Sequence, residues 1–184
     1  MTDKDVVDLL LNQHEEIKRL FTEVENAAPD DRAEAFQRLV RLLAVHETAE
    51  EEIVHPYTRH KLDDGDEVVG ERLAEENAAK VMLSRIEQAG VDDPQFAANL
   101  ATLRAAVVEH AEAEEREEFP RLRQQTSDKE RRAMAAGVRA AEAVAPTHPH
   151  PGMESVSKNL LLGPPVAIMD RARDMIRKAM GRSG

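Results

Sequence analysis

The sequence predicts an all-α fold: an up-down-up-down four-helix bundle with a short fifth helix, then a proline-rich tail ending in an amphipathic helix. Three observations carry this expectation. Aromatic residues make up only 3% of the 184, while Ala, Leu, Glu and Arg, which favour helices, dominate. Apolar residues recur at helical rather than alternating spacing. Short clusters of Pro, Gly and Asp, which end helices and open turns, separate the periodic segments.

The first helix is expected from about Asp3 to Asn26, on a stripe of Val7, Leu10, Ile17, Phe21 and Val24. Pro29-Asp30-Asp31 breaks it and offers an N-cap to the second, whose stripe is Phe36, Leu39, Leu43, Ile53 and Tyr57. Pro56 must end or kink that helix, because proline lacks a backbone donor and clashes with the preceding turn. After Asp63-Asp64-Gly65-Asp66 a third helix should run to about Ala89 and stop at Gly90. Asp93-Pro94 is expected to open the fourth, as N-cap and first helical proline, ahead of Phe96, Leu100, Leu103 and Val107. Ser127-Asp-Lys-Glu130 is a capping box and starts the fifth helix, to about Val144. Residues 1–145 are therefore expected to form the bundle with its appended helix, and 146–184 a strap and a terminal helix. The strap holds PTHPHPG, where His148 and His150 alternate with prolines that stiffen it. The last helix, from about Val166 to Met180, is amphipathic and locally basic; docking on the bundle or on a second subunit suits it better than a membrane surface.

Composition excludes several classes of function. A formal net charge of -11 opposes a nucleic-acid surface, which needs clustered Lys and Arg. With no cysteine there are no disulfides, thiolate chemistry or sulfur-ligated metals. The start, MTDKDVVDLLLNQHEE, turns acidic too early for a secretory signal, and no apolar run approaches the roughly 20 residues that span a bilayer. The expectation is a cytoplasmic protein without a membrane partner, monomer or homodimer.

Two stretches repeat one phrase. HETAEEEIVHP (His46 to Pro56) and HAEAEEREEFP (His110 to Pro120) both read His-x-x-Ala-Glu-Glu-x-x-x-x-Pro. His46 and Glu50 continue the inward stripe of the second helix, His110 and Glu114 that of the fourth, and His14 that of the first. Residues i and i+4 lie above one another on a helix, so each His-x-x-x-Glu pair can present a nitrogen and an oxygen to one cation, or to two a few Å apart. A buried carboxylate without partners loses several kcal/mol of solvation, and a cation removes that cost. The two phrases therefore read as equivalent halves of one metal site holding His14, His46, Glu50, His110 and Glu114. These mixed nitrogen and oxygen donors suit iron, manganese or zinc. Glu51, Glu52, Glu115, Glu117 and Glu118 read as a solvated acidic face, and His55 as a surface or inter-helix histidine. Tyr57 reads as a core residue with a hydroxyl hydrogen bond, or more sharply as a donor beside the metal or a phenolate ligand.

These residues, over roughly Val6 to Leu122, resemble the hemerythrin-like, or HHE cation-binding, family. The segment APTHPHPG…LLLGPPVAIMDRARD is similar to the tail of actinobacterial members. The resemblance implies a non-haem di-iron centre inside the bundle, with Glu50 and Glu114 as bridging carboxylates. Members bind or sense dioxygen, handle peroxide or nitric oxide, or store and sense iron. A peroxide-consuming, catalase-like activity is among the implied roles. The third helix departs from the family pattern: members show Glu-His there, whereas this chain reads LAEENAAKV, with Asn77 in place of the histidine. Asn is a poor iron ligand. Glu76 lies closer to the apolar stripe of Val69, Leu73, Ala79, Leu83 and Ile86 and could supply a carboxylate instead. An open, water-filled position and a degenerate site are the other outcomes, so two irons, one or none remain open.

Overall fold

The computed structural model describes residues 5–143. Among them the chain forms helices α1 (Val6–Asn26), α2 (Pro29–Ala49), α3 (His55–Lys61), α4 (Gly65–Ala89), α5 (Phe96–Ala113), α6 (Phe119–Gln125) and α7 (Asp128–Glu142). There is no strand among the described residues. A π-helical turn, Glu50–Val54, joins α2 to α3, and a second, Glu114–Glu118, joins α5 to α6. With those joints counted as continuous, four long rods build the all-α bundle and α7 packs across α1 and α2. The strap and terminal helix expected over 146–184 lie outside the described residues. No helix among those described is long and apolar enough to cross a membrane.

Most boundaries follow from local chemistry. Asp5 caps α1, its carboxylate accepting from the Val7 and Asp8 amides at 3.0 and 3.1 Å. Ser127 and Glu130 close the expected capping box on α7. Gly90 ends α4 with φ 84°, a left-handed geometry that glycine adopts without strain. Gly65 is needed for space: a Cβ there would meet the Thr58 carbonyl oxygen at 2.7 Å, so its absence lets α4 turn tightly back on α3.

Two boundaries differ from expectation. Pro29 is the first residue of α2 itself, and Asp30 and Asp31 sit in its first turn, where negative charge suits the helix dipole, instead of capping it. Asp93 caps a turn, not α5: its carboxylate accepts from the Gln95 amide at 2.7 Å, and the helix starts at Phe96.

The core falls into two apolar clusters. One gathers Ile17, Phe21, Leu39, Leu43, Leu83 and Leu103 with the edge-to-face pair Phe36–Phe96, 5.3 Å apart. The other gathers Val6, Leu10, Ile53, Tyr57, Leu122 and Met134. Helix α1 runs through both, and His14 falls between its contributions to them. That level of the bundle carries the polar residues.

Candidate metal centre

The π-helical turns are the local device that shapes this level. A proline at 56 cannot donate to the carbonyl one α-turn earlier, so the chain widens there: the His55 amide donates to Glu50 O, five residues back. Pro120 has the same effect, with the Phe119 amide donating to Glu114 O. Such turns recur at functional sites, and here each begins on the glutamate of the repeat. The repeated proline therefore belongs to the phrase because it sets a wide turn directly below each buried carboxylate.

Two groups of side chains converge. His14, His46, Glu50 and Glu114 each offer a donor atom within 4.8 Å of the others, and so do Glu50, Glu76 and His110. The five residues expected on inward stripes are therefore together with Glu76, the alternative carboxylate of α4, and Glu50 is shared. Across the centre His14 Nε2 lies 3.4 Å from Glu114 Oε2, His46 Nε2 3.3 Å from Glu50 Oε2, and His110 Nε2 3.6 Å from Glu114 Oε2.

Each imidazole is held from behind. His46 Nδ1 lies 2.8 Å from Gln13 Oε1, His14 Nδ1 2.8 Å from Glu115 Oε1, and His110 Nδ1 2.9 Å from Glu75 Oε2. Each acceptor takes an Nδ1–H, so that in the neutral ring the lone pair falls on the Nε2 that faces inward. Metal-binding histidines are oriented in this way. Gln13 in turn donates to Glu142, which ties α7 to the ring of His46.

Burial and charge set the protonation of the centre. Burial, reinforced by Glu114 and Glu76, drives the Glu50 carboxyl well above its ordinary value. Burial also raises Glu114, yet His110 and His14 outweigh it and hold the carboxyl at about 2. Burial lowers His110, but Glu114 and then Glu75 and Glu76 raise it to about 9. Burial and the neighbouring His14 hold His46 well below its usual value, so its imidazole is neutral, the form that binds metals.

The donor set fits a cation. Among the described residues, His14 Nε2, His110 Nε2, both oxygens of Glu50, both of Glu114 and Glu76 Oε2 are buried without a hydrogen-bond partner. Each such atom costs about 1–3 kcal/mol, and all seven belong to residues of the two converging groups. Beside it a cavity of about 20 Å³ is lined by His14, His46, Glu76 and His110 together with Ile17, Leu43 and Val107. That is room for one water-sized molecule. Lys18 and Glu75, both partly exposed, also line it.

Several expectations need correction. On α4, Glu76 is buried and joins the second converging group, while Asn77 is half-buried. Tyr57 is a core residue with a hydroxyl hydrogen bond, as its stripe suggested: it donates to Glu130 at 2.7 Å, in the apolar cluster under α7. Glu52 and Glu118 are buried, not solvated. Glu118 accepts from the Thr58 hydroxyl at 2.6 Å. Glu51 and Glu115 are half-buried, the first paired with Lys80 and the second with His14. Glu117 is exposed as expected. His55 is an inter-helix histidine, fully buried, with Nε2 2.6 Å from Glu76 Oε1. The misplacements share a cause: extending a 3.6-residue period through the prolines ignores the wide turns. The signal was present in both repeats, as a proline six residues after each glutamate. Gln13, Glu75 and Glu115 had no comparable signal, because each meets a histidine on another helix.

The family profile described as the hemerythrin HHE cation binding domain matches residues 5–122. The chain belongs to that family. Among curated proteins it is similar to a DNA nickase of Nostoc sp., 27% identical over 141 residues. That match covers 76% of this chain and 40% of the relative, so the chain spans well under half of that protein's length. No solved structure matches it significantly.

Proposed function

We propose that this HHE-domain protein binds two non-haem irons through His14, His46, Glu50, His110, Glu114 and Glu76, and reacts with dioxygen or peroxide. The observation that carries the reading is the set of seven buried donor atoms without hydrogen-bond partners, six of them on residues of the two repeats and α1. Bound iron would supply the redox chemistry toward dioxygen, peroxide or nitric oxide. The chain's own residues do the rest. Gln13, Glu115 and Glu75 hold the imidazoles at Nδ1, so that Nε2 would be free to bind the metal. Ile17, Leu43 and Val107 exclude bulk water from the small cavity, which admits only a ligand of a few atoms. Nicking of DNA is not adopted for this chain: the match covers a minor part of that relative, and a net charge of -11 disfavours a phosphate surface.

A second reading, an iron or oxygen sensor or store without turnover, is favoured by one contact. Gln13 links His46 to Glu142 of α7, so occupancy of the centre bears on how that helix packs. Protein expressed with added iron, freed of excess metal and mixed with hydrogen peroxide separates the two. Catalytic loss of peroxide with about two irons per chain is expected from the enzyme. A large iron-dependent rise in melting temperature without turnover would favour the sensor or store. Absence of bound iron would remove both readings.

A further inference from the structure

The position five residues after each repeat glutamate is used differently in the two repeats. In the second it is Phe119, whose ring stacks on His14 at 5.7 Å. In the first it is His55, which reaches across the bundle to α4, Nε2 lying 2.6 Å from Glu76 Oε1. A buried imidazole there is costly unless it serves a partner, and Glu76 is the single α4 residue that the converging groups contain.

Glu76 has a competing partner. Lys80, one turn further along α4, puts its Nζ 3.8 Å from Glu76 Oε2 and also pairs with Glu51. Its ammonium attracts the same carboxylate whose Oε1 lies 3.9 Å from His110 Nε2. A donor on the other oxygen fixes the carboxylate in spite of that attraction, and His55 supplies one at Oε1.

We propose that His55 is a positioning residue for the second half of the centre. Its Nε2–H holds Glu76 toward Glu50 and His110, so that a carboxylate serves where α4 lacks an inward imidazole. The inference rests on the two-iron reading above and deepens it. His55 acts through Glu76 and is not itself counted as a ligand. Gln can donate a similar hydrogen bond and Leu cannot, so the two substitutions separate the roles.

The test is an anaerobic titration of chelator-stripped full-length protein with ferrous iron. Bound iron is counted by plasma mass spectrometry after desalting, and helicity is followed by far-ultraviolet circular dichroism. His55→Leu should fall from about two irons per chain to about one, and His55→Gln should return toward two. The double variant His55→Leu/Glu76→Gln should hold no less iron than Glu76→Gln alone, because both changes remove the same ligand. Two irons in His55→Leu would overturn the inference while leaving the two-iron reading intact. A His55→Gln protein as depleted as His55→Leu would overturn the positioning role, since the ring itself would then be required. If His55→Leu does not fold, the comparison of His55→Gln with Glu76→Gln decides, and equal depletion counts against the proposal. A wild type that takes up one iron or none removes this inference together with the two-iron reading.

Discussion

The two halves of the centre share Glu50 but are built from different chemistry. One half sets two imidazoles, His14 and His46, against Glu50 and Glu114; the other sets the single imidazole of His110 against Glu50 and Glu76. The first half lies within α1, α2 and the two wide turns, and its rings are 5.0 Å apart and edge-to-face. The second depends on α4, whose inward stripe carries Arg72, Glu76 and Lys80 among its apolar residues. Imidazole suits iron better than carboxylate does, and oxygen-rich sites are more permissive toward manganese and magnesium. The difference teaches that one repeated phrase does not yield two equal sites, because the other helices decide what each copy faces. The first half is therefore expected to bind iron more tightly and more selectively than the second.

The sharpest way to break this comparison is at the shared residue. Glu50→Met should abolish binding in both halves, since each then lacks its common carboxylate. The same change should raise the melting temperature of the iron-free protein, because it removes a buried carboxyl with neither oxygen hydrogen-bonded. A variant that keeps one iron would show that the halves are independent. Next in size, His46→Ala should empty the first half and His110→Ala the second. Each should leave about one iron per chain, and the iron remaining in His46→Ala should be displaced more readily by manganese.

A smaller effect is expected behind the ligands. Glu115→Leu and Gln13→Leu leave all six candidate ligands in place but release the rings of His14 and His46. Each should weaken iron binding about 10–100-fold in competition with a chelator, and leave the second half unaffected. Loss of the second iron in either variant would mean that the halves are coupled through more than Glu50.

The smallest effects lie outside the centre. Tyr57→Phe should cost about 1 kcal/mol in urea unfolding, one hydrogen bond to Glu130, with iron content unchanged. Glu130 is drawn below its ordinary 4.5, to about 2: burial raises it, but the Ser127 amide, Lys61 and Tyr57 outweigh that. Its folded value is depressed, so its contribution to stability is present above pH 4.5 and is lost as pH falls toward 2. Glu130→Gln should flatten the acid limb of a stability–pH curve, and an unchanged limb would count against this assignment.

How much of this was legible in the sequence depends on the kind of signal. The stripes of α1, α2, α4 and α5 placed the helices, and the capping box placed the start of α7, because both are local periodic or short-range patterns. The same stripes brought His14, His46, Glu50, His110 and Glu114 to one level, and ranked Glu76 above Asn77 on α4. What local patterns could not give was the change of period below Glu50 and Glu114. There a missing proline donor, not side-chain hydropathy, sets the turn, and it carried His55 and Glu118 inward. Nor could they give the partners of the outer imidazole nitrogens, which come from separate helices.

The most direct test of two unequal halves on one shared carboxylate is the stepwise ferrous titration of stripped wild-type protein, followed by near-ultraviolet absorption and metal count. Two irons per chain, taken up in two resolved steps with the tighter one lost in His46→Ala, is the predicted result. A single iron, or two indistinguishable ones unaffected by that substitution, would contradict the account.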